Sequence, residues 1–208
     1  WEVKQFSAIS FDKYHSSVIT LMTPEPTGGY YKDHGPTEFV KKYGYLDKLG
    51  RADRMNFGGV YKVGTEQMTT KLMLHVAGFD GHSGRITDSE GTIALIDRQD
   101  NVAACWSFSS LLLHWNRKHS RAAYVPSIVK KDPVRSYSYG NKVILGMGTD
   151  FMLFLKEMTS GRLYYDPGIK LENLSTQPKL KRRSQFRIKS GNLLKLYHAH
   201  EIVDLKKI

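Results

Sequence analysis

Short runs with a two-residue apolar period alternate along this chain with two segments of helical period, and that order confines it to a mixed α/β or α+β architecture. Strand-like alternation runs through 1–9, where Trp1, Val3 and Phe6 to Ile9 interleave with Glu2, Lys4 and Gln5. It recurs over 16–22, and the two runs are expected to pair as antiparallel neighbours. Further strands are expected over 71–77 and 92–98, separated by a loop at 78–91 rich in Gly, Asp and Ser, and over 121–129 and 136–145, the last broken by the turn Gly140-Asn141. The helical period appears over 107–119, where Phe108, Leu111, Leu112 and Trp115 form one stripe and Arg117, Lys118 and His119 complement the dipole of the last turn. It appears again over 149–160, with Thr149 as the cap and Gly161 just past the end. A shorter helix is expected over 36–43, with Pro36 at its first position. The Pro- and Gly-rich stretch 23–29 reads as a functional loop, and 50–56 as another loop. Gly58-Gly59 and 146–148 read as turns.

The length of 208 residues suits one compact unit, and no apolar run approaches the roughly 18 residues that cross a bilayer. No membrane is therefore expected as a partner. Lys plus Arg number 31 against 20 Asp plus Glu, so 31 − 20 = +11, and the chain calls for an anionic partner. Cys105 is the single cysteine, which rules out an internal disulfide, fits a reducing cytoplasm and is expected to be a small buried residue beside Trp106. The surplus charge is local: Lys179, Lys181, Arg182, Arg183, Arg187 and Lys189 put six cations into eleven residues with no acid among them.

Glu2-Val3-Lys4 is an E-x-K triplet on an expected strand, and residues two apart on a strand share a face. A carboxylate and an ammonium side by side are what metal-dependent phosphodiester cleavage needs, the first to hold Mg²⁺ and the second to orient the attacking water. Alone, the triplet is common in any protein and reads equally as an ion pair on a strand face.

Its context is more specific. Ser17 to Pro26, Tyr43-Gly44-Tyr45, Asn56-Phe57-Gly58-Gly59, the block Tyr164-Tyr165-Asp166-Pro167-Gly168-Ile169-Lys170-Leu171-Glu172-Asn173 and the block Arg183-Ser184-Gln185-Phe186-Arg187 follow the triplet. In order and spacing the whole resembles the restriction endonucleases of the MvaI and BcnI type, relatives of the mismatch-repair nuclease MutH. The resemblance implies a PD-(D/E)xK fold, a mixed β-sheet flanked by helices, with a second lobe closing over double-stranded DNA. It implies one unit over 1–208, with a catalytic lobe mainly from 1–130 and a recognition lobe mainly from 131–208. It further implies a cytoplasmic bacterial monomer of a restriction-modification system that cuts within a short GC-bordered site with Mg²⁺.

Carried over residue by residue, Glu2 becomes a metal-binding carboxylate and Lys4 the catalytic lysine. The family's first aspartate lies upstream of that strand, and this sequence starts at the strand without a Met, so the N-terminal part of the catalytic lobe is expected to be missing. Alternatively Asp12, Glu25 or Asp47 folds into the site. Arg183 and Arg187 are the candidates for base readout, with Gln185 able to pair with adenine. Lys170, Lys181 and Arg182 are candidates for the DNA backbone, as are Arg51 and Arg54. His198 and His200, in an H-x-H pattern, are candidates for a groove contact. A catalytically inactive DNA-binding module of the same fold, and a nonspecific RNA- or membrane-surface-binding basic protein, are the alternatives.

Overall fold

A computed structural model describes residues 1–7 and 17–206. Within them the chain runs through β1 (Glu2–Phe6), β2 (Val18–Met22), α1 (Tyr30–Tyr43), β3 (Tyr45–Leu46), β4 (Arg54–Gly58), β5 (Met73–Ala77), β6 (Phe79–Asp80), β7 (Arg85–Ile86), β8 (Thr92–Ile96) and β9 (Val102–Ser107). It continues through α2 (Phe108–His119), β10 (Arg121–Lys130), β11 (Ser136–Tyr139), β12 (Lys142–Met147), α3 (Phe151–Thr159), β13 (Leu163–Tyr165), β14 (Gly168–Glu172), β15 (Lys179–Lys181), β16 (Phe186–Lys189), a 3-10 turn at Ser190–Leu196 and β17 (Ala199–Asp204). The class is mixed α+β, as the periodicity predicts. No helix among these is long and apolar enough to cross a membrane.

The first sheet has the order β1-β10-β12-β17, with β1 parallel to β10 and the other pairs antiparallel. Strands from both ends of the chain and from both sides of residue 130 meet in it. The expected hairpin of β1 with β2 does not form: β2 lies in a separate sheet, β13-β16-β2. A hairpin needs a tight turn, and the connection 7–17 is too long to impose one. A third sheet, β15-β14-β4-β3, carries Arg54 and Asn56 on β4, where a loop was expected. Met55 and Phe57 decide that, because alternate residues of β4 pack into the core. Gly146 and Met147 likewise belong to β12 and not to a turn. A Cβ on Gly146 would meet the Tyr197 ring at 2.7 Å, so glycine there permits a close approach.

The helices form where expected, with local differences. α1 starts six residues earlier than the 36–43 segment and kinks at Gly35, whose φ of +82° only glycine adopts freely, before Pro36 opens its second part. Asp150, not Thr149, caps α3: its carboxylate accepts from the Leu153 amide at 2.7 Å, while the Thr149 hydroxyl donates to the Leu196 carbonyl. Cys105 is half-buried, not fully buried, because β9 turns it toward Gly28. The core between the sheets is aromatic. Trp106 packs edge-on against Tyr165 and Phe186, with ring centroids 4.7 and 5.3 Å away, and Trp115 lies against Phe154 at 5.0 Å.

Candidate active site and nucleic-acid interface

Glu2 and Lys4 stand opposite Ala122 and Tyr124 of β10, on one face of the edge strand β1, while Val3 and Gln5 point to the other face and are exposed. The two-residue spacing thus does place carboxylate and amine side by side. Lys118, one residue before the end of α2, brings its Nζ to 3.8 Å from Glu2. Lys4 reaches inward, and its Nζ donates to the Leu21 carbonyl at 3.2 Å. Burial is the main force on this amine and lowers it to about 8; Glu2 pulls it up and Lys118 pushes it further down. A lysine near 8 exchanges protons close to neutral pH, which an ordinary one near 10.5 does not.

His119 lies behind Lys4. It was expected as a cation at the helix end, but it is fully buried and stacked on Trp115 with centroids 4.0 Å apart. Its Nε2 is 3.0 Å from the Leu21 carbonyl, which can only accept, so Nε2 carries the proton. Nδ1 is then an acceptor, with the Tyr197 hydroxyl at 3.1 Å and the Tyr124 hydroxyl at 3.3 Å, and the two hydroxyls are themselves hydrogen-bonded at 2.7 Å. Burial, with Lys4 adding repulsion, pushes the imidazole down to about 3.

A depressed group of this kind stabilises the fold above its unfolded value near 6.5 and loses that contribution as pH falls toward 3. The loss approaches about 1.4 kcal/mol per pH unit at its steepest. Urea unfolding of the wild type at pH 7, 5 and 4 should therefore show a steeper decline than His119→Gln, and parallel declines would contradict a buried neutral histidine.

The described residues do not assemble a complete metal site. No cluster of three His, Cys, Asp or Glu side chains is found among them, which leaves Glu2 as one carboxylate where Mg²⁺ takes several oxygens. Glu25 is engaged by the Tyr31 hydroxyl and by Arg182 at 3.5 Å, and Asp47 accepts from Asn56 at 2.8 Å, so each is tied to its own partners. Asp12 lies outside the described residues.

The family model described as MvaI/BcnI restriction endonuclease matches residues 1–197. The chain belongs to the MvaI/BcnI restriction endonuclease family. Two solved structures share its fold. Restriction endonuclease MvaI without DNA is 19% identical with a TM-score of 0.60, over 97% of this chain and 78% of that one. The complex of MvaI with its cognate DNA substrate is 17% identical with a TM-score of 0.66, over 96% and 76%. No curated protein matches the chain. Membership makes this a restriction endonuclease of the type II kind, in a family of enzymes that use a divalent metal.

In this MvaI/BcnI family member, the block around Lys170 forms a polar sheet face. Tyr45, Asn56, Lys170 and Lys181 stand in one cross-strand row over β3, β4, β14 and β15, and Leu171, Ile169 and Phe57 fill the opposite, buried face. Lys170 and Lys181 are exposed, with Lys181 also 2.7 Å from Glu172. Arg54 is sunk into this face among Asn56 at 3.0 Å, Asp47 at 3.6 Å and Glu172 at 3.8 Å, so it orders the row. Arg51 stands exposed in the preceding turn.

The Arg-Ser-Gln-Phe-Arg block divides. Arg182 and Arg183 are exposed, the first leaning on Glu25 and Tyr31, while the Gln185 carbonyl accepts from the Asp166 amide at 2.8 Å. Arg187 is half-buried on β16, with Nη1 at 2.6 Å from Asp166 and Nε donating to Thr20 at 3.2 Å. His198 sits before β17 with Nε2 at 2.9 Å from Asp150, and His200 is exposed within β17. Sequence reasoning placed His119 among the cations of a helix end and did not single out Tyr124 or Tyr197 as its partners, nor join Arg54, Asn56 and Asp47 in one network. Only a histidine closing an otherwise apolar stripe on α2 hinted at the first.

Proposed function

We propose that this chain is a sequence-specific DNA endonuclease that hydrolyses a phosphodiester within a short GC-bordered site, with Mg²⁺ as its ion, as a monomer in the bacterial cytoplasm. The observation that carries the reading is the anchored pair on β1, Glu2 beside a partly buried Lys4 whose amine is lowered to about 8. Lys4, held at a fixed point by the Leu21 carbonyl, orients a water for attack on phosphorus from the side opposite the leaving oxygen. The new P–O bond forms as the bond to the 3′ oxygen breaks, and the products are a 3′-hydroxyl and a 5′-phosphate. The exposed cations Lys170, Lys181, Arg182, Arg183 and Arg51 suit the phosphates of a duplex, and Arg183 reaches outward for base readout. Likeness to MvaI bound to its cognate DNA supports a duplex as the partner.

That Glu2 is one carboxylate without a cluster of others among the described residues favours a second reading, a DNA-binding module of the same fold without cleavage. Plasmid incubated with the protein in Mg²⁺ and in EDTA separates the two. Discrete fragments in Mg²⁺ alone are expected, and intact plasmid in both leaves only the binding module. In a salt titration, equal affinity for duplexes with and without a GC-bordered site would remove sequence specificity.

A further inference from the structure

Leu21 occupies an irregular position in β2. The β2–β16 ladder pairs Met22 with Phe186 and Thr20 with Arg187, and the register shifts between them, so Leu21 is the extra residue of a β-bulge. A bulged residue is released from the ladder and its polar groups are free to point elsewhere. The Leu21 carbonyl takes two side-chain donors: the His119 imidazole at 3.0 Å and the Lys4 amine at 3.2 Å. The Leu21 side chain is itself buried in the core, which holds the carbonyl still.

We propose that His119 is the positioning residue for Lys4: its Nε2–H fills one lone pair of the Leu21 carbonyl and fixes the direction of the other, which takes the Lys4 amine. The hydroxyls of Tyr197 and Tyr124, at 3.1 and 3.3 Å from Nδ1, make this possible by holding the tautomer with hydrogen on Nε2. A histidine that merely filled the core would need neither this tautomer nor a bulge opposite it. The neutral state matters as well, because an imidazolium here would repel the lysine it serves. The inference rests on the reading of Lys4 as the lysine at the scissile phosphate.

Two substitutions test it. His119→Phe keeps a flat ring on Trp115 but has no donor, and His119→Gln puts an amide N–H within reach of the same carbonyl. In His119→Phe the Leu21 carbonyl ¹³C signal should move upfield, and the single-turnover rate of DNA cleavage in Mg²⁺ should fall about 10- to 100-fold, with DNA affinity in EDTA unchanged. His119→Gln should recover most of both. An unmoved Leu21 signal, or equal losses of rate in a folded Phe and a folded Gln variant, would overturn the proposal. Should His119→Phe fail to fold, the double variant Tyr124→Phe/Tyr197→Phe, which removes both hydroxyls within reach of Nδ1, is expected to give the same upfield move, and no move there overturns the proposal equally. A wild type that leaves DNA uncut would remove the nuclease reading alone. The Leu21 signal then still decides, since Lys4→Met should shift it in the wild type and no longer do so in the His119→Phe or the Tyr124→Phe/Tyr197→Phe background.

Discussion

Lys4→Met is expected to lower the single-turnover rate of DNA cleavage by about 10²- to 10⁴-fold, the range a positioned proton-transfer group supplies. Methionine keeps the length and the apolar stem but brings no amine to the water. Affinity for DNA in EDTA should stay close to wild type, because Lys4 is turned inward to Leu21 and the exposed cations lie on other strands. Stability should hold or rise. Burial disfavours the Lys4 charge more than Glu2 favours it, and the Leu21 carbonyl keeps His119 as a donor when the amine is removed. Rapid-quench cleavage, gel-shift binding and thermal melting on the same preparation check all three. A folded Lys4→Met that cuts at the wild-type rate would remove Lys4 from the chemistry.

Trp106→Ala is expected to cost about 3 to 5 kcal/mol, the usual range for truncating a fully buried large aromatic side chain. Trp106 is 0% exposed, touches Tyr165 and Phe186, and donates its Nε1–H to the Pro24 carbonyl at 3.1 Å. Truncation therefore opens a cavity between two sheets and removes one of the ties on the loop that follows β2, which keeps the Ser184 hydroxyl on Pro24. Trp106→Phe separates the contributions: it restores most of the packing and removes one of the two donors on the Pro24 carbonyl, which keeps the Ser184 hydroxyl, for about 1 kcal/mol. Urea midpoints of the two variants decide it, and an alanine variant within about 1 kcal/mol of wild type would show that the sheets do not depend on this contact. Because Pro24 lies three residues beyond Leu21, the cleavage rate of Trp106→Phe should fall further than its stability alone accounts for.

What could be read from the chain was whatever depends on near neighbours. The stripe on α2, the strands β5 and β8, and the break between β11 and β12 at Gly140-Asn141 all follow from periods of 3.6 or 2 and from turn chemistry, whereas the short β6–β7 hairpin inside 78–91, where only a loop was expected, does not. The E-x-K triplet belongs with them, since Glu2 and Lys4 share a face of any strand that holds both. The resemblance carried by the Tyr-Tyr-Asp-Pro-Gly-Ile-Lys-Leu-Glu-Asn block reached further, to the family, because long unusual blocks hold information that periodicity does not.

Tertiary structure alone decided which of those pieces meet. Glu2 pairs across to Ala122 and Lys4 to Tyr124, a partner strand more than a hundred residues away, and no local pattern distinguishes β10 from β2 as the neighbour of β1. The basic block is sorted in the same way. Arg54 and Arg187 read as free cations in the sequence, but cross-strand packing hands them to Asp47, Asn56, Glu172, Asp166 and Thr20, while Lys170 and Arg183 stay exposed. His119 is the sharpest instance. As a sequence position it is one more basic residue at a helix end; its neutrality, its tautomer and its hold on Leu21 exist only once α2, the bulge in β2, β10 and the Tyr197 segment enclose it, because burial costs and hydrogen-bond partners are properties of the packed molecule.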